Sequence, residues 1–299
     1  MDHDTLRVLA PGKVFIDYGP VSMVVMAFQE EKPMTGLCQE AFQVVDAALR
    51  EITEALPFLR CPPSRIAPEA LTGLPRQMLE AVLAVGEPTL TPMATVAGAL
   101  SDKVADWLFE QGATRVVVNN GGDIALRLKP GESVRVGILS SLDRGEVDTV
   151  VSVSGNDGIG GIATSGLGGR SFTRGIAHAV SVFSKRCILA DALATHLANC
   201  SWIDSKSIKT VKAGTIDPSS DIADLDVVIE VGELTDREVE QSLDNLLAEA
   251  RRQYGKQLFC GMRANVQTRF ISYPEAYFIN RTKGEESNGT QDQKNRDQC

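Results

Sequence analysis

Asp191 and Thr195 stand four residues apart in Ala190-Asp-Ala-Leu-Ala-Thr195. On a helix, that spacing puts a carboxylate and a hydroxyl on one face. Oxygen donors of this kind suit a hard cation such as Mg2+, which keeps several waters and shares phosphate oxygens. The pair also has a plainer use: an aspartate set against a helix dipole, with the threonine bonding the backbone. The stretch before it, Gly161-Ile-Ala-Thr-Ser-Gly-Leu-Gly-Gly-Arg170, adds weight to the cation reading. Thr164 and Ser165 bring hydroxyls, and Gly166, Gly168 and Gly169 bring unobstructed N–H groups. Arg170 is suited to clamp a phosphate or carboxylate. A mobile surface loop is the alternative for this stretch. The Gly-Lys-Ser/Thr ending of a Walker-type loop is absent, so nothing here points to ATP hydrolysis.

A second turn, Asn119-Asn-Gly-Gly-Asp123, offers close backbone approach at Gly121 and Gly122 and an acceptor at Asp123. Its simpler reading is a tight turn closed by an aspartate. His178 lies in an apolar run and His196 follows Thr195; a lone histidine is more often hydrogen-bonded structure than catalyst. No Ser/His/Asp or Cys/His arrangement follows from the spacing. Trp107 and Trp202 read as core or edge packing.

These groups need elements to carry them. Leu6–Leu9 and Val14–Asp17 read as strands joined around Pro11-Gly12. After the turn at Asp17–Pro20, Val21–Phe28 returns as a third strand of an antiparallel meander. Thr35 is expected to cap a helix from Gly36 to Leu56, stopped by Pro57, Pro62 and Pro63. The chain then reads as irregular to Gly73. Shorter helices are expected over Pro75–Val85 and Met93–Gln111, the latter ended by Gly112. Val116–Val118 and Ile124–Leu128 form a hairpin through Asn-Gly. Val134–Leu139 and Thr149–Val153 are expected to extend the same sheet.

Gly155–Gly175 holds eight glycines in 21 residues, too many for a solvent loop alone. Within it, Ile159–Thr164 reads as a strand with close backbone neighbours. Ile176–Phe183 is expected as a strand, Ile188–Asn199 as a helix and Leu225–Glu230 as a strand. Thr235–Tyr254 reads as a long helix with a Thr235/Glu238 capping box. Lys256–Tyr273 is expected to add one or two edge strands. Residues 1–282 read as a single α+β domain of antiparallel sheets and packed long helices, and 283–299 as a disordered polar tail.

Length, at 299 residues, allows a sizeable core, and 43% hydrophobic with 23% charged residues fits a globular chain. A formal charge of −9 argues against a broad nucleic-acid surface. The first residues lack the pattern of a signal peptide, and no apolar run reaches membrane-spanning length. Six scattered cysteines without Cys-x-x-Cys read as reduced thiols, and a cytoplasmic location is the expectation. A homodimer is expected on general grounds.

Taken in order, four motifs resemble the ApbE-like superfamily of flavin transferases: Val96-Ala-Gly98 with Asp102, Val118-Asn-Asn-Gly-Gly-Asp123, Ile162-Ala-Thr-Ser-Gly166 and Ala190-Asp-Ala-Leu-Ala-Thr195. They run through about 92–199. Within that superfamily, Pro92–Gly98, Asn120–Asp123, Gly161–Ser165, the Ala-Asp-Ala helix ending in Ala198-Asn199 and Gly19-Pro20 are similar to a small cytoplasmic branch. The resemblance implies an ApbE-like, T-fold-like architecture that binds FAD or FMN with Mg2+. It implies transfer of FMN from FAD to a threonine or serine hydroxyl of a target protein, with release of AMP. Asp191, Thr195 and the backbone carbonyl near Val96 would hold the metal. Asn120, Gly121, Gly122 and Asp123 would line the nucleotide pocket with Thr164, Ser165, Gly166, Gly168, Gly169 and Arg170. Asp191 and His178 are the expected catalytic residues.

The chain departs from the transferases at three places. Ala97 stands where they carry a lysine, Phe172–Val180 lacks their Asp-Pro segment, and their lipoprotein signal has no counterpart. The close branch would carry an aspartate at the place of His178. Two other readings use the same pocket. One is a binding or accessory protein without transferase activity. The other is an enzyme on a small carboxylated heteroaromatic substrate held by Arg170, Arg174 and His178.

Overall fold

A computed structural model describes residues 5–139, 147–169 and 171–282. The expected tail, 283–299, and Arg170 lie outside the described residues. In chain order the elements begin with β1 (Thr5–Ala10), β2 (Lys13–Tyr18), β3 (Val21–Gln29), β4 (Lys32–Pro33), α1 (Thr35–Leu59), α2 (Gly73–Val85) and α3 (Val96–Glu110). Then come β5 (Arg115–Asn120), β6 (Asp123–Leu128), β7 (Ser133–Leu139), β8 (Val147–Ser154), β9 (Gly161–Ser165), β10 (Ala179–Ser184) and α4 (Cys187–Cys200). The chain ends with β11 (Ile208–Lys212), α5 (Ala213–Ile216), β12 (Asp226–Val231), α6 (Asp236–Gly255), β13 (Gly261–Val266), β14 (Arg269–Tyr273) and α7 (Glu275–Thr282).

The expected α+β class holds. A ten-stranded sheet runs β1-β2-β3-β5-β6-β9-β10-β13-β14, with β4 beside β3. Every pairing in it is antiparallel. Along that nine-strand path the narrowest junction is β6 to β9, where only Ile124↔Ile162 and Ala125↔Gly161 pair. The strands beyond that short ladder are free to diverge, and the carboxylate and glycine motifs lie at this junction. On one face α3 packs on β5 and β6, α4 packs on β9 and β10, and the two helices pack on each other. Their contact is the centre of the main core, where Ala99, Leu100, Val104, Ala190, Leu193 and Leu197 are all buried. Burial of the leucine and valine side chains among these contributes on the order of 1.5–3 kcal/mol each.

The strands β7 and β8 do not extend the main sheet as expected. They pair only with each other, in register from Ser133↔Ser154 to Leu139↔Val147. The free edge of β6 is taken by β9. The hairpin instead lays Val136, Ile138, Val151 and Val153 over Leu126, Ile162 and Phe183, covering the second face of the sheet together with Phe278 of α7. The segment Lys256–Tyr273 also differs from expectation. Its first strand, β13, is paired on both sides, and only β14 is an edge.

Local signals were altered by tertiary contacts in three more places. Thr35 does not cap α1; its hydroxyl accepts the Gly12 N–H at 2.7 Å and ties the helix to the β1–β2 turn. The helix continues through Pro57 to Leu59, because a missing N–H so close to the end costs one bond of the last turn. The irregular segment contains two short 3-10 turns, Pro63–Arg65 and Pro68–Ala70. The capping box of α6 is present as read, with both Thr235 and Glu238 bonding reciprocally. No helix among the described residues is long and apolar enough to cross a membrane.

Candidate functional site

The glycine density of the middle segment has a packing cause. A Cβ at Gly161 would overlap the Cys187 amide at the start of α4, and one at Gly98 would lie 2.6 Å from Cys187 O and 2.9 Å from Asp191 Cβ. The missing side chains let α3, β9 and α4 meet backbone to backbone. That approach brings Asp191, one turn into α4, against the amino terminus of α3. There Asp191 Oδ2 accepts the Gly98 N–H at 2.9 Å.

Behind this contact lies an ion-pair network. Asp102, 1% exposed, accepts from Arg127 Nη2 at 2.7 Å, from Arg186 Nε at 3.2 Å and from the Ile188 N–H at 2.9 Å. Asp106 pairs with the same two arginines at 2.6 and 2.9 Å. The network ties α3 to β6 and to the first turn of α4, and so fixes where Asp191 emerges.

In front of it opens a cavity of about 590 Å3, within the size range of small-molecule sites. One wall is α4, which presents Asp191, Thr195 and Asn199 at successive four-residue steps. The amino terminus of α3 contributes Val96 and Ala97. The β5–β6 turn contributes Asn120, Gly121, Gly122 and Asp123. Gly121 and Gly122 are both at positive φ, 69° and 112°, as a two-residue hairpin of the favoured hand requires. From the end of β9 come Thr164, Ser165 and Gly166, followed by Gly169.

Most residues singled out from the sequence therefore meet on one surface. Three do not. Gly168 is not on the cavity wall; its N–H faces His178 O at 3.4 Å. Arg170 lies outside the described residues. His178 is also off the wall, and its ring Nδ1 accepts the Gln267 N–H at 3.1 Å, on the turn between β13 and β14. The expected strand Ile176–Phe183 starts only at Ala179, because the Ser201 hydroxyl accepts the N–H groups of Ile176 and Ala177, each at 2.8 Å. This placement sets His178 beside the β13–β14 turn rather than on the cavity wall.

The two carboxylates carry the electrostatics. Asp123 is driven well above the ordinary aspartate range by burial and by the charge of Asp191, against a bond from the Thr164 N–H. Burial also raises Asp191, against the Gly98 N–H. Asp123 Oδ1 is buried and has no hydrogen-bond partner among the described residues. The Thr164 hydroxyl is 2.7 Å from Ser181 Oγ, so it is turned toward the sheet, leaving Ser165 and the glycine amides as donors toward the cavity. His196 is structural as read: its Nε2 lies 2.7 Å from Glu249 Oε1.

Sequence reasoning missed one whole wall. Arg60 at the end of α1, Thr89–Thr91, and Asp217 with Ser219–Ile222 all line the cavity. The Thr91 hydroxyl bonds Asp221 and holds that loop in place. A turn signal was present in Asp217-Pro-Ser-Ser-Asp221, but nothing in it points to a ligand.

The fold and these motifs define a chain of the ApbE-like superfamily. It belongs to the family described as "AbpE bacteria", whose model it matches over residues 7–271. Among curated relatives, a UPF0280 protein of Methanosarcina acetivorans is 33% identical over 180 residues, 57% of this chain and 66% of that protein. A UPF0280 protein of Methanococcus aeolicus is 33% identical over 142 residues, 46% of this chain and 54% of that one. The chain thus spans less than two thirds of the length of these relatives. Among solved structures, the flavin transferase ApbE from Vibrio cholerae aligns with a TM-score of 0.45 at 16% identity, over 90% of this chain and 98% of that one. The Pseudomonas stutzeri flavinyl transferase ApbE, apo form, aligns with a TM-score of 0.47 at 14% identity, over 93% and 97%.

Proposed function

We propose that the cavity binds a flavin nucleotide, FAD or FMN, together with a divalent cation, Mg2+. The observation that carries this reading is Asp123 Oδ1, a buried carboxylate oxygen without a hydrogen-bond partner among the described residues, in the same cavity as Asp191. Two desolvated like charges are costly unless something positive neutralises them. No group of three or more His, Cys, Asp or Glu among the described residues is placed to hold a metal. The donor set is therefore two carboxylates, the Thr195 hydroxyl and main-chain carbonyls such as that of Val96. All are oxygens, and they leave open positions for phosphate and water, which fits Mg2+ better than a thiophilic metal. Membership of the ApbE-like superfamily makes a flavin nucleotide the ligand to test first.

When bound, the cation would neutralise charge on a pyrophosphate and make its phosphorus easier to attack. The chain's own groups do the rest. Gly121 and Gly122 allow a planar or phosphorylated group to approach the main chain, and Ser165 and Gly166 offer donors to phosphate oxygens. In transfer, the acceptor hydroxyl loses its proton to the medium and its oxygen bonds to the FMN phosphorus. The bridging P–O bond breaks, and AMP leaves with the electron pair.

Incubation with FAD, Mg2+ and an acceptor polypeptide presenting a threonine tests this step. Release of AMP matched by flavin-labelled acceptor supports transfer. Tight FAD binding without AMP favours the accessory reading instead, which Ala97 supports by placing a methyl group on the cavity wall where transferases of the family carry a lysine.

A further inference from the structure

At the end of the cavity reached by the last turn of α4, Arg174 forms no ion pair with a carboxylate among the described residues, although Asp217 and Asp221 line the same cavity. Its guanidinium meets one acceptor among the described residues, Thr89 Oγ1, which takes a hydrogen bond from Nη1 at 2.9 Å. A guanidinium has five N–H donors, so four remain for something else. The chain carries more acidic than basic residues, yet Arg174 forms none of the ion pairs among the described residues. The nearest carboxylate in this chain of contacts, Glu87, lies one hydrogen bond behind Thr89. Glu87 Oε1 accepts from the Thr89 hydroxyl at 2.8 Å and from the Thr89 N–H at 3.2 Å. With its proton given to Glu87, the Thr89 hydroxyl can only accept from Arg174, which aims the guanidinium. The main chain is held separately: the Arg174 N–H donates to Asn199 Oδ1 at 2.9 Å. Asn199 lies two helical turns beyond Asp191 on the same wall, about 12 Å away at 1.5 Å per residue.

We infer that Arg174 is the anion clamp of the cavity, selecting ligands that carry a phosphate or carboxylate at the end of the cavity away from Asp123 and Asp191. The inference rests on the cavity being a ligand site but needs no cation. A half-buried, directed guanidinium that pairs with no carboxylate among the described residues favours an incoming anion, and its planar fork suits the two oxygens of either group.

The test uses the intact protein in EDTA at constant ionic strength, with binding followed by NMR. Inorganic phosphate and benzoate are the two anionic probes, and benzamide is the neutral control. At least one anion should bind the wild type, benzamide should not, and the stronger probe names the group recognised. Arg174→Gln should weaken that anion about tenfold, the scale of one charge-assisted hydrogen bond. Arg174→Lys should recover part of the loss, and Thr89→Val should fall between, because it keeps the charge but loses its aim. Thermal melts close to wild type confirm that the variants fold; the Asn199 bond to the main chain is untouched by them. Absence of anion binding in the wild type, or equal affinity in Arg174→Gln, overturns the inference. Titration of FAD with Mg2+ in parallel separates the two claims: Arg174-dependent anion binding without FAD binding leaves the clamp standing and removes the flavin reading.

Discussion

Asp191 Oδ2 caps a helix that is not its own: it accepts the Gly98 N–H of α3 at 2.9 Å, while Thr95, at the cap position of α3, gives its hydroxyl to Pro92 O at 2.8 Å. The contact exists because residue 98 has no side chain. Gly98→Ala would put a methyl 2.6 Å from Cys187 O and 2.9 Å from Asp191 Cβ. Neither neighbour is a flexible chain end, so the helices must part. The expected loss is about 1–3 kcal/mol of stability, read as a lower urea midpoint at unchanged m-value.

Charge and capping at Asp191 separate by substitution. Asparagine keeps an oxygen for the Gly98 N–H and ends the repulsion with Asp123; alanine ends the repulsion too but leaves the Gly98 N–H without that acceptor. Asp191→Asn should therefore melt at or above the wild-type temperature without added metal, and Asp191→Ala should be about 1 kcal/mol less stable. Thermal unfolding of the three proteins in EDTA decides this. Equal damage from both variants would show that the cap is not what Asp191 contributes.

The network behind the site gives a third prediction. Asp102→Ala leaves the Ile188 N–H without its acceptor in a buried setting and takes from Arg127 the more buried of its two carboxylates, and should cost about 2–3 kcal/mol. Asp106, 35% exposed, shares the same arginines. Asp106→Ala should cost no more than about 1 kcal/mol. Urea unfolding of the two variants reads the difference.

How far the sequence carries depends on whether a signal is local. The α6 capping box, the Gly121-Gly122 hairpin and the Asp191/Thr195 face are encoded within a few residues, and each was legible. Alternation in Val134–Leu139 tells that one face is buried but not which surface buries it, so the separate sheet of this hairpin is not legible there. The run at 176–178 looked like strand, and only the Ser201 hydroxyl, 25 residues away in sequence from Ile176, shows why it is not. The wall with Arg60, Thr89 and Asp221 was illegible because its residues come from unrelated segments. The Thr91–Asp221 bond alone spans 130 positions.

Acid should reveal Glu249. Burial raises its carboxyl, but bonds from Arg252, His196 and Gln253 outweigh that and bring it down to about 2. A carboxylate lowered on folding contributes stability above its unfolded value of 4.5, and that contribution is lost as pH falls toward about 2. Wild-type stability should drop between those limits, and Glu249→Gln should flatten that part of the profile. Urea midpoints at pH 7, 4 and 3 check it; parallel profiles would contradict the assignment.

Calorimetric titration of FAD into the apoprotein, with and without Mg2+, is the most direct measurement for the cavity. The account predicts saturable binding with Mg2+, at least tenfold weaker binding in EDTA, and loss of that metal dependence in both Asp123→Asn and Asp191→Asn. FAD binding of equal affinity in all these conditions, or no binding to the wild type with Mg2+ present, would contradict it.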